Sequence, residues 1–278
     1  MFELPEFFTL SKQINSSLRG KILRSGHLGN TPHKFVWYNR SHDEFETLTK
    51  GKMIGEAWAK GKWLFIPLEP EYVLLLGECG GKLLYHPPGS KMPKKYHLYL
   101  TFEDDSFFTM TTQMWGAMEL YEKGKEGDRK YVKGMRVTPI EPEFTFSYFC
   151  NLIQELVSQK KRSVKGLLTQ DQIIPGLGNA IAQDILFRAR LHPRHPIDDL
   201  NLHQKQVLFD AILSTVSEVM EKGGRYDEYD LYKKRGGYIR IMDKNAVGNP
   251  CPECGSSIEK TQYLGGTCYF CPSCQRLN

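Results

Sequence analysis

Four cysteines stand in two matched pairs, Cys251-x2-Cys254 and Cys271-x2-Cys274, with sixteen residues between the pairs. Two residues between thiolates let a tight turn present both sulfurs to one ion. Two such knuckles on a β-hairpin predict a closed tetrahedral site for one structural zinc per chain, with no position left for water. In an appendage this small, metal binding supplies the folding energy, on the order of 10 kcal/mol or more. Cys268 has the same spacing from Cys271, but the repeated CPxC selects Cys271 and Cys274 and leaves Cys268 as an unligated thiol. Five of the seven cysteines lie between Cys251 and Cys274, while Cys79 and Cys150 stand alone. That clustering argues for metal in a reducing compartment rather than for a disulfide scaffold or a redox pair.

A second chemical signal precedes this one. Residues 165–188 read KGLLTQDQIIPGLGNAIAQDILFR. A helix containing Leu167 and Leu168 breaks at Pro175-Gly176, and Gly178-Asn179 opens the next. Gly-x-Gly permits a tight turn and close backbone approach, and the first amides of the following helix, with Asn179 beside them, can grip a phosphate. Lys165 adds a point charge at the other end. PGLGN alone is an ordinary helix-capping turn; with a four-cysteine hairpin it reads as a nucleic-acid clamp.

These residues need elements to position them. From Pro5 to Leu18, Phe7, Leu10, Ile14 and Leu18 recur at helical spacing, closed by Gly20. Residues 21 to about 135 carry short β-rich runs, KFVWY, KWLFIPL, YVLLL, HLYLTF and SFFTM, between Gly, Pro and charged turns, and predict a sandwich or barrel. VTPIEPE at 137–143 reads as a linker, because its two prolines forbid a continuous helix. Helical stripes follow: Phe149, Leu152, Ile153 and Leu156; then Ile181, Ile185, Leu186 and Ala189; then Leu208, Ile212, Val216 and Val219, closed by Gly223-Gly224. The predicted fold class is α+β and multi-domain: an N-terminal helix and β-sandwich over 1–136, a helix-two-turn-helix domain over 144–245, and a zinc β-hairpin over 246–278. His192 and His195 read as surface-loop residues, and Tyr226, Tyr229, Tyr232 and Tyr238 as packing.

The chain of 278 residues is 40% hydrophobic and 25% charged, with net charge +5. The apolar fraction is that of a globular protein, the length suits two modest domains, and no apolar run reaches the roughly 20 residues that span a bilayer. MFELPEFF carries acid where a signal peptide carries base, which predicts a cytoplasmic, nucleoid-associated monomer with no membrane partner. Lys91, Lys94 and Lys95, then Lys123, Lys125, Arg129, Lys130 and Lys133, supply positive charge, diluted in the second run by Glu122, Glu126 and Asp128.

Five segments, in order, resemble the formamidopyrimidine-DNA glycosylase/endonuclease VIII (Fpg/Nei) family of base-excision repair enzymes. They are FELPEFFTLSKQINSSLRGKIL, AKGKWL, LLLGECGGKL, KGLLTQDQIIPGLGN and the four-cysteine hairpin. The resemblance implies extrusion of a damaged base and attack on sugar C1′ by an N-terminal amine, with a Schiff base and strand cleavage following. An α-amine suits that role because such groups ordinarily titrate near 8. By the resemblance, Glu3 is the catalytic glutamate beside the nucleophile, Glu6 a second pocket carboxylate, and Lys62 the β-domain lysine. Lys165, Gly178 and Asn179 meet phosphate.

The same resemblance exposes departures. The family's amine belongs to Pro or another small residue at position 2, whereas this chain has Phe2. Removal of Met1 ordinarily requires a small second residue, so Met1 is expected to stay, one residue and about 3.5 Å out of register. Glu78, Gln113 and Trp115 stand where the family has a Met, Arg and Phe that refill the hole left by the base, and Gly266 stands at its hairpin arginine. The sequence therefore supports a DNA-binding repair protein with an altered or impaired nucleophile, its amine being that of Met1, Phe2 or Lys62. The alternative is a catalytically silent binder of damaged duplex DNA or structured RNA. A zinc protein that binds no polyanion is the remaining reading. Glu3 and Glu6 also favour the positive end of a helix in any protein, and Lys62 is equally an ordinary surface lysine.

Overall fold

A computed structural model describes residues 1–277. The chain divides into two compact units, Met1–Met135 with Met220–Tyr238, and Arg136–Val219 with the residues from Ile239 onward. No helix among the described residues is long and apolar enough to cross a membrane.

The first unit opens with α1 (Leu4–Ser17), and Pro5 sits in its first turn, where a missing N–H breaks no helical bond. Two sheets follow. One has four strands in the order β1-β8-β9-β7: β1 (Leu23–Leu28), β7 (Gly81–His86), β8 (Leu98–Phe102) and β9 (Phe107–Thr112). The other has the order β2-β10-β6-β5-β3: β2 (Val36–Tyr38), β3 (Met53–Ile54), β5 (Trp63–Glu69), β6 (Tyr72–Gly77) and β10 (Gly116–Glu122), with β4 (Trp58–Lys60) also paired to β5. Alternation on β5 and β6 accounts for the continuous apolar runs. Leu64, Ile66, Leu68, Leu74 and Leu76 enter the main core with Phe7, Leu10 and Ile14 of α1. Trp63, Phe65, Val73 and Leu75 fill a second cluster on the opposite face, covered by Val132 and Met135. A sheet buried on both faces needs no polar alternation.

One helix interrupts what the sequence presents as all-β. α2 (His42–Thr49) starts at Ser41, whose hydroxyl accepts from Glu44 N–H while Glu44 reaches back to Ser41 N–H. That reciprocal cap is written in the sequence as Ser-x-x-Glu, but eight residues with Phe45 and Thr49 as the buried pair are too short for periodicity to reveal.

The second unit holds α3 (Phe146–Gln159), α4 (Val164–Thr169), α5 (Asn179–Arg188), most of α6 (Leu202–Glu221), and the hairpin β11 (Glu259–Tyr263) and β12 (Gly266–Phe270). Thr145 and Ser163 cap α3 and α4 through their hydroxyls. α4 ends at Thr169, earlier than the Pro175-Gly176 break expected, because Gln170 is extended and Asp171 and Gln172 adopt φ of 52° and 48°.

Position 2 belongs to the core. Phe2 is 0% exposed, packs edge-on to Phe7 at 5.7 Å, and donates its N–H to Cys79 O at 2.9 Å. Phe2→Ala is therefore expected to cost about 3–5 kcal/mol in denaturant unfolding. A change of under about 1 kcal/mol would contradict the packing described.

Candidate active site and metal centre

At the start of α1 the backbone is pinned on both sides. Glu3 is buried, and its N–H donates to Glu6 Oε2 at 2.9 Å. Glu6 also receives Arg225 Nε at 3.0 Å, Arg225 Nη2 at 2.9 Å and the Arg225 backbone N–H at 3.1 Å. Burial raises the Glu6 pKa, but the charge and hydrogen bonds of Arg225, with the two backbone donors, outweigh it and hold the carboxyl below its ordinary 4.5. The remaining reach of Arg225 Nη2 goes to Met1 O at 2.8 Å, and the Met1 ammonium lies 2.9 Å from Glu228 Oε1. Met1 itself is 50% exposed. A Cβ at Gly80 would sit 2.9 Å from Met1 Cα and N, so only glycine lets the chain start pass here.

Lys62 follows the left-handed Gly61 (φ 59°) between β4 and β5, and its carbonyl accepts from Glu78 N–H at 3.3 Å. Burial drives the Lys62 ammonium below the ordinary lysine value, the Glu3 and Glu78 carboxylates pull it back, and Arg225 opposes them. Glu3 and Lys62 are thus electrostatic neighbours in this unit. Glu78 does not present a bare charge, because Arg129 lies 3.5 Å away and also pairs with Glu119 at 3.0 Å. In the loop after β9, Gln113 is exposed and donates its N–H to Gly80 O at 2.8 Å. Trp115, in the same loop, is half-exposed and stacked on Trp37 and Phe35. Arg225, Glu228, Phe35 and Trp37 were not singled out from sequence. The only signal for the last two was their i, i+2 placement in KFVWY.

In the second unit, Lys165 is buried, and its Nζ donates to Tyr263 O at 2.5 Å and Gly266 O at 3.4 Å, stapling α4 to the hairpin turn. Asn179, the first residue of α5 after Gly178, is exposed and donates to Thr267 O at 3.3 Å. The buried Gln183 donates to Thr267 O and accepts from Tyr269 N–H. Lys165, Gly178 and Asn179 are thereby gathered against one hairpin end. A Cβ at Gly266 would meet Asn179 Oδ1 at 3.1 Å. His192 and His195, expected on the surface, are buried: His192 packs edge-on to Phe270 at 4.7 Å, and His195 O accepts from Val164 N–H. Arg194 between them reaches the hairpin, over the Tyr263 ring at 4.5 Å.

The four Sγ atoms of Cys251, Cys254, Cys271 and Cys274 lie within 4.8 Å of one another. Cys254–Cys271 is 3.4 Å and Cys251–Cys274 is 3.9 Å. A tetrahedron with zinc–sulfur bonds of about 2.3 Å has edges of about 3.8 Å, so the thiols fit zinc. Bound there, zinc has only a structural part. Cys268 is buried on β12 opposite Thr261 and lies outside this group.

Three outcomes are expected. Cys254→Ala should lose the bound zinc and unfold the hairpin, whereas Cys268→Ala should keep one zinc per chain by metal analysis; loss of metal in the second variant would reassign the ligands. Wild-type stability should fall on acidification, because Glu6 contributes above the ordinary carboxylate range and its contribution is lost as pH drops through the depressed folded value. Arg225→Ala should cost about 3–5 kcal/mol near neutrality by leaving Glu6 unpaired. Its penalty should shrink toward acid pH, where protonating the isolated carboxyl relieves it. A gap independent of pH would show that the pair is not what holds this region.

The model of the formamidopyrimidine-DNA glycosylase N-terminal domain matches residues 1–118, and that of the formamidopyrimidine-DNA glycosylase H2TH domain matches 137–228. The formamidopyrimidine-DNA glycosylase of Roseiflexus sp. (strain RS-1) is 30% identical over 243 residues, covering 85% of this chain and 86% of the relative. That of Bacillus licheniformis is 28% identical over 282 residues, 99% of this chain and 100% of the relative. Among solved structures, Lactococcus lactis Fpg in complex with DNA containing an abasic site superposes with a TM-score of 0.85 at 22% identity, over 99% of this chain and 100% of that one. That similarity extends to the fold. The matches to the family models and the relatives establish that the chain belongs to the formamidopyrimidine-DNA glycosylase (Fpg/Nei) family.

Proposed function

We propose that this protein binds damaged or distorted DNA in base-excision repair, with its reactive amine moved from residue 2 to the Met1 α-amine. The observation that carries this is the anchoring of the chain start. Phe2 is fully buried with its N–H on Cys79 O, while Met1 lies outside with its amine on Glu228.

The chemistry is that of an amine and an aldehyde. At an abasic site the neutral amine attacks C1′, water leaves, and an iminium forms. A carboxylate then takes a C2′ proton, and the electron pair expels the 3′-phosphate. Glu228 is placed to accept the Met1 proton, and Glu3, beside Lys62, to exchange protons with the sugar. Glu6 has a different task, since Arg225 and Glu3 N–H occupy both of its oxygens. A phosphate meets the second unit at the start of α5, near Asn179, with the hairpin held by Lys165 and by zinc.

One observation favours the second reading, a silent binder: the Met1 ammonium is ion-paired with Glu228. A displacement of even 1 Å from the productive geometry can cost about a hundredfold in rate.

Mass spectrometry of the intact protein should find Met1 present. Borohydride trapping on an abasic duplex should give an adduct that maps to Met1. An adduct at Phe2 or Lys62 would overturn the assignment of the amine, and tight binding without any adduct would select the silent reading. Asn179→Ala should weaken binding alike across sequences while leaving the log–log salt slope unchanged, because a neutral amide releases no counterion. Unchanged affinity would remove the phosphate contact, and preference for RNA over the abasic duplex would overturn the DNA assignment.

A further inference from the structure

Three exposed aromatic side chains of the first unit form one surface. Phe35, Trp37 and Trp115 are each 38% exposed. Trp37 and Trp115 stack at 5.3 Å with 12° between planes, and Phe35 lies 4.7 Å from Trp115 at 43°. Strand register produces the arrangement. β2 runs parallel to β10 with Val36 opposite Gly116, and Gly116 N–H donates to Phe35 O at 3.0 Å. Phe35, just before β2, and Trp37 on it are alternate residues, and Trp115 comes alongside them one residue before Gly116.

The surroundings are cationic. Asn30 donates to Lys94 O at 3.1 Å and accepts from Tyr96 N–H at 3.1 Å. His97 Nδ1 accepts from Thr112 N–H at 2.8 Å, and the His33 and His97 rings meet at 5.0 Å. Segments 29–38, 87–102 and 106–118 therefore converge here. They contain Lys34, Lys91, Lys94 and Lys95 and no Asp or Glu. Lys34 Nζ lies 5.6 Å from the Phe35 ring.

Aromatic rings left in water beside unbalanced lysines suit a ligand with flat apolar faces and a negative backbone. An unpaired nucleic-acid strand has both, and stacking accepts any base. The rings expose on the order of 300 Å², short of the roughly 800 Å² per partner in a stable protein interface.

We infer that Phe35, Trp37 and Trp115 form a stacking platform for unpaired bases of single-stranded DNA, whose phosphates face Lys34, Lys94 and Lys95. The inference rests on the DNA-repair reading above and extends the DNA contact expected of Trp115 into a grip on a single strand shared with Phe35 and Trp37.

The test measures affinity by fluorescence anisotropy for labelled oligo-dT, a fully paired duplex and an abasic duplex. Trp37→Ala and Trp115→Ala should each reduce the preference for oligo-dT over the paired duplex by about five- to 150-fold, the range for one stacked base, and Trp115→Phe should restore most of it. The Trp37 and Trp115 substitutions should leave the salt slope on oligo-dT unchanged, while Lys94→Ala and Lys95→Ala should each lower it by about 0.7. A preference that survives both tryptophan substitutions removes the platform, and tighter binding of oligo-U than oligo-dT overturns the assignment to DNA. If the wild type holds the abasic duplex but shows no such dependence, the platform alone falls. If it binds none of the three, the repair reading falls too.

Discussion

The first unit hangs on a single buried ion pair, Glu6 with Arg225. A carboxylate and a guanidinium removed from water gain little net stability over an apolar pair of the same shape, but neither tolerates loss of the other. What such a pair provides is position. Glu6 belongs to the first turn of α1, and Arg225 belongs to a segment that returns from 219 residues further along the chain. Closing it fixes the entry of the helix and the carbonyl of Met1 together. Neighbouring bonds extend the clasp: Gln13 accepts from Leu231 N–H and donates to Asp230, and Leu231 joins the main core. Glu228 follows Arg225 by three residues and so arrives beside the Met1 amine.

Much of this was legible in sequence where the information is local. The cysteine spacing specified a metal site because two residues between sulfurs dictate a turn, and the thiols do gather. Apolar runs gave β2, β5, β6, β8 and β9 but not β1, β3, β4, β7 or β10, and the helical stripes gave α1, α3, α5 and α6. The misses among side chains have one cause. Arg225 and Glu228 look like two more charges in a polar stretch until the chain brings them to Glu6 and Met1. Lys165 reads as a phosphate-binding charge, whereas its buried ammonium is taken by two hairpin carbonyls, which no local rule predicts. His192 and His195 sit in a Pro-rich loop that composition assigns to the surface, and only the Phe270 ring and the start of α4 bury them.

Family membership and the departure at position 2 become compatible at the level of packing. A small residue there leaves a backbone nitrogen for chemistry; a phenylalanine recruits the position into the core, and the hydrogen bond to Cys79 O fixes it. The amine that remains accessible is one residue earlier, facing a carboxylate from the returning segment. The clasp therefore sets the environment of the amine as much as the pocket does, since Glu228 pairs with it and Arg225 holds the Met1 carbonyl.

The hairpin carries five sulfurs for a site that needs four, and two different cysteine pairs share Cys271 at the same spacing. An unfolded hairpin offers an incoming ion no way to choose between them. The folded hairpin makes the choice: with Thr261 opposite Cys268, the spare sulfur is buried outside the group of four. Metal binding and folding are coupled in so small an element, so the ion that gathers Cys271 with Cys274 also stabilises the register that keeps Cys268 apart.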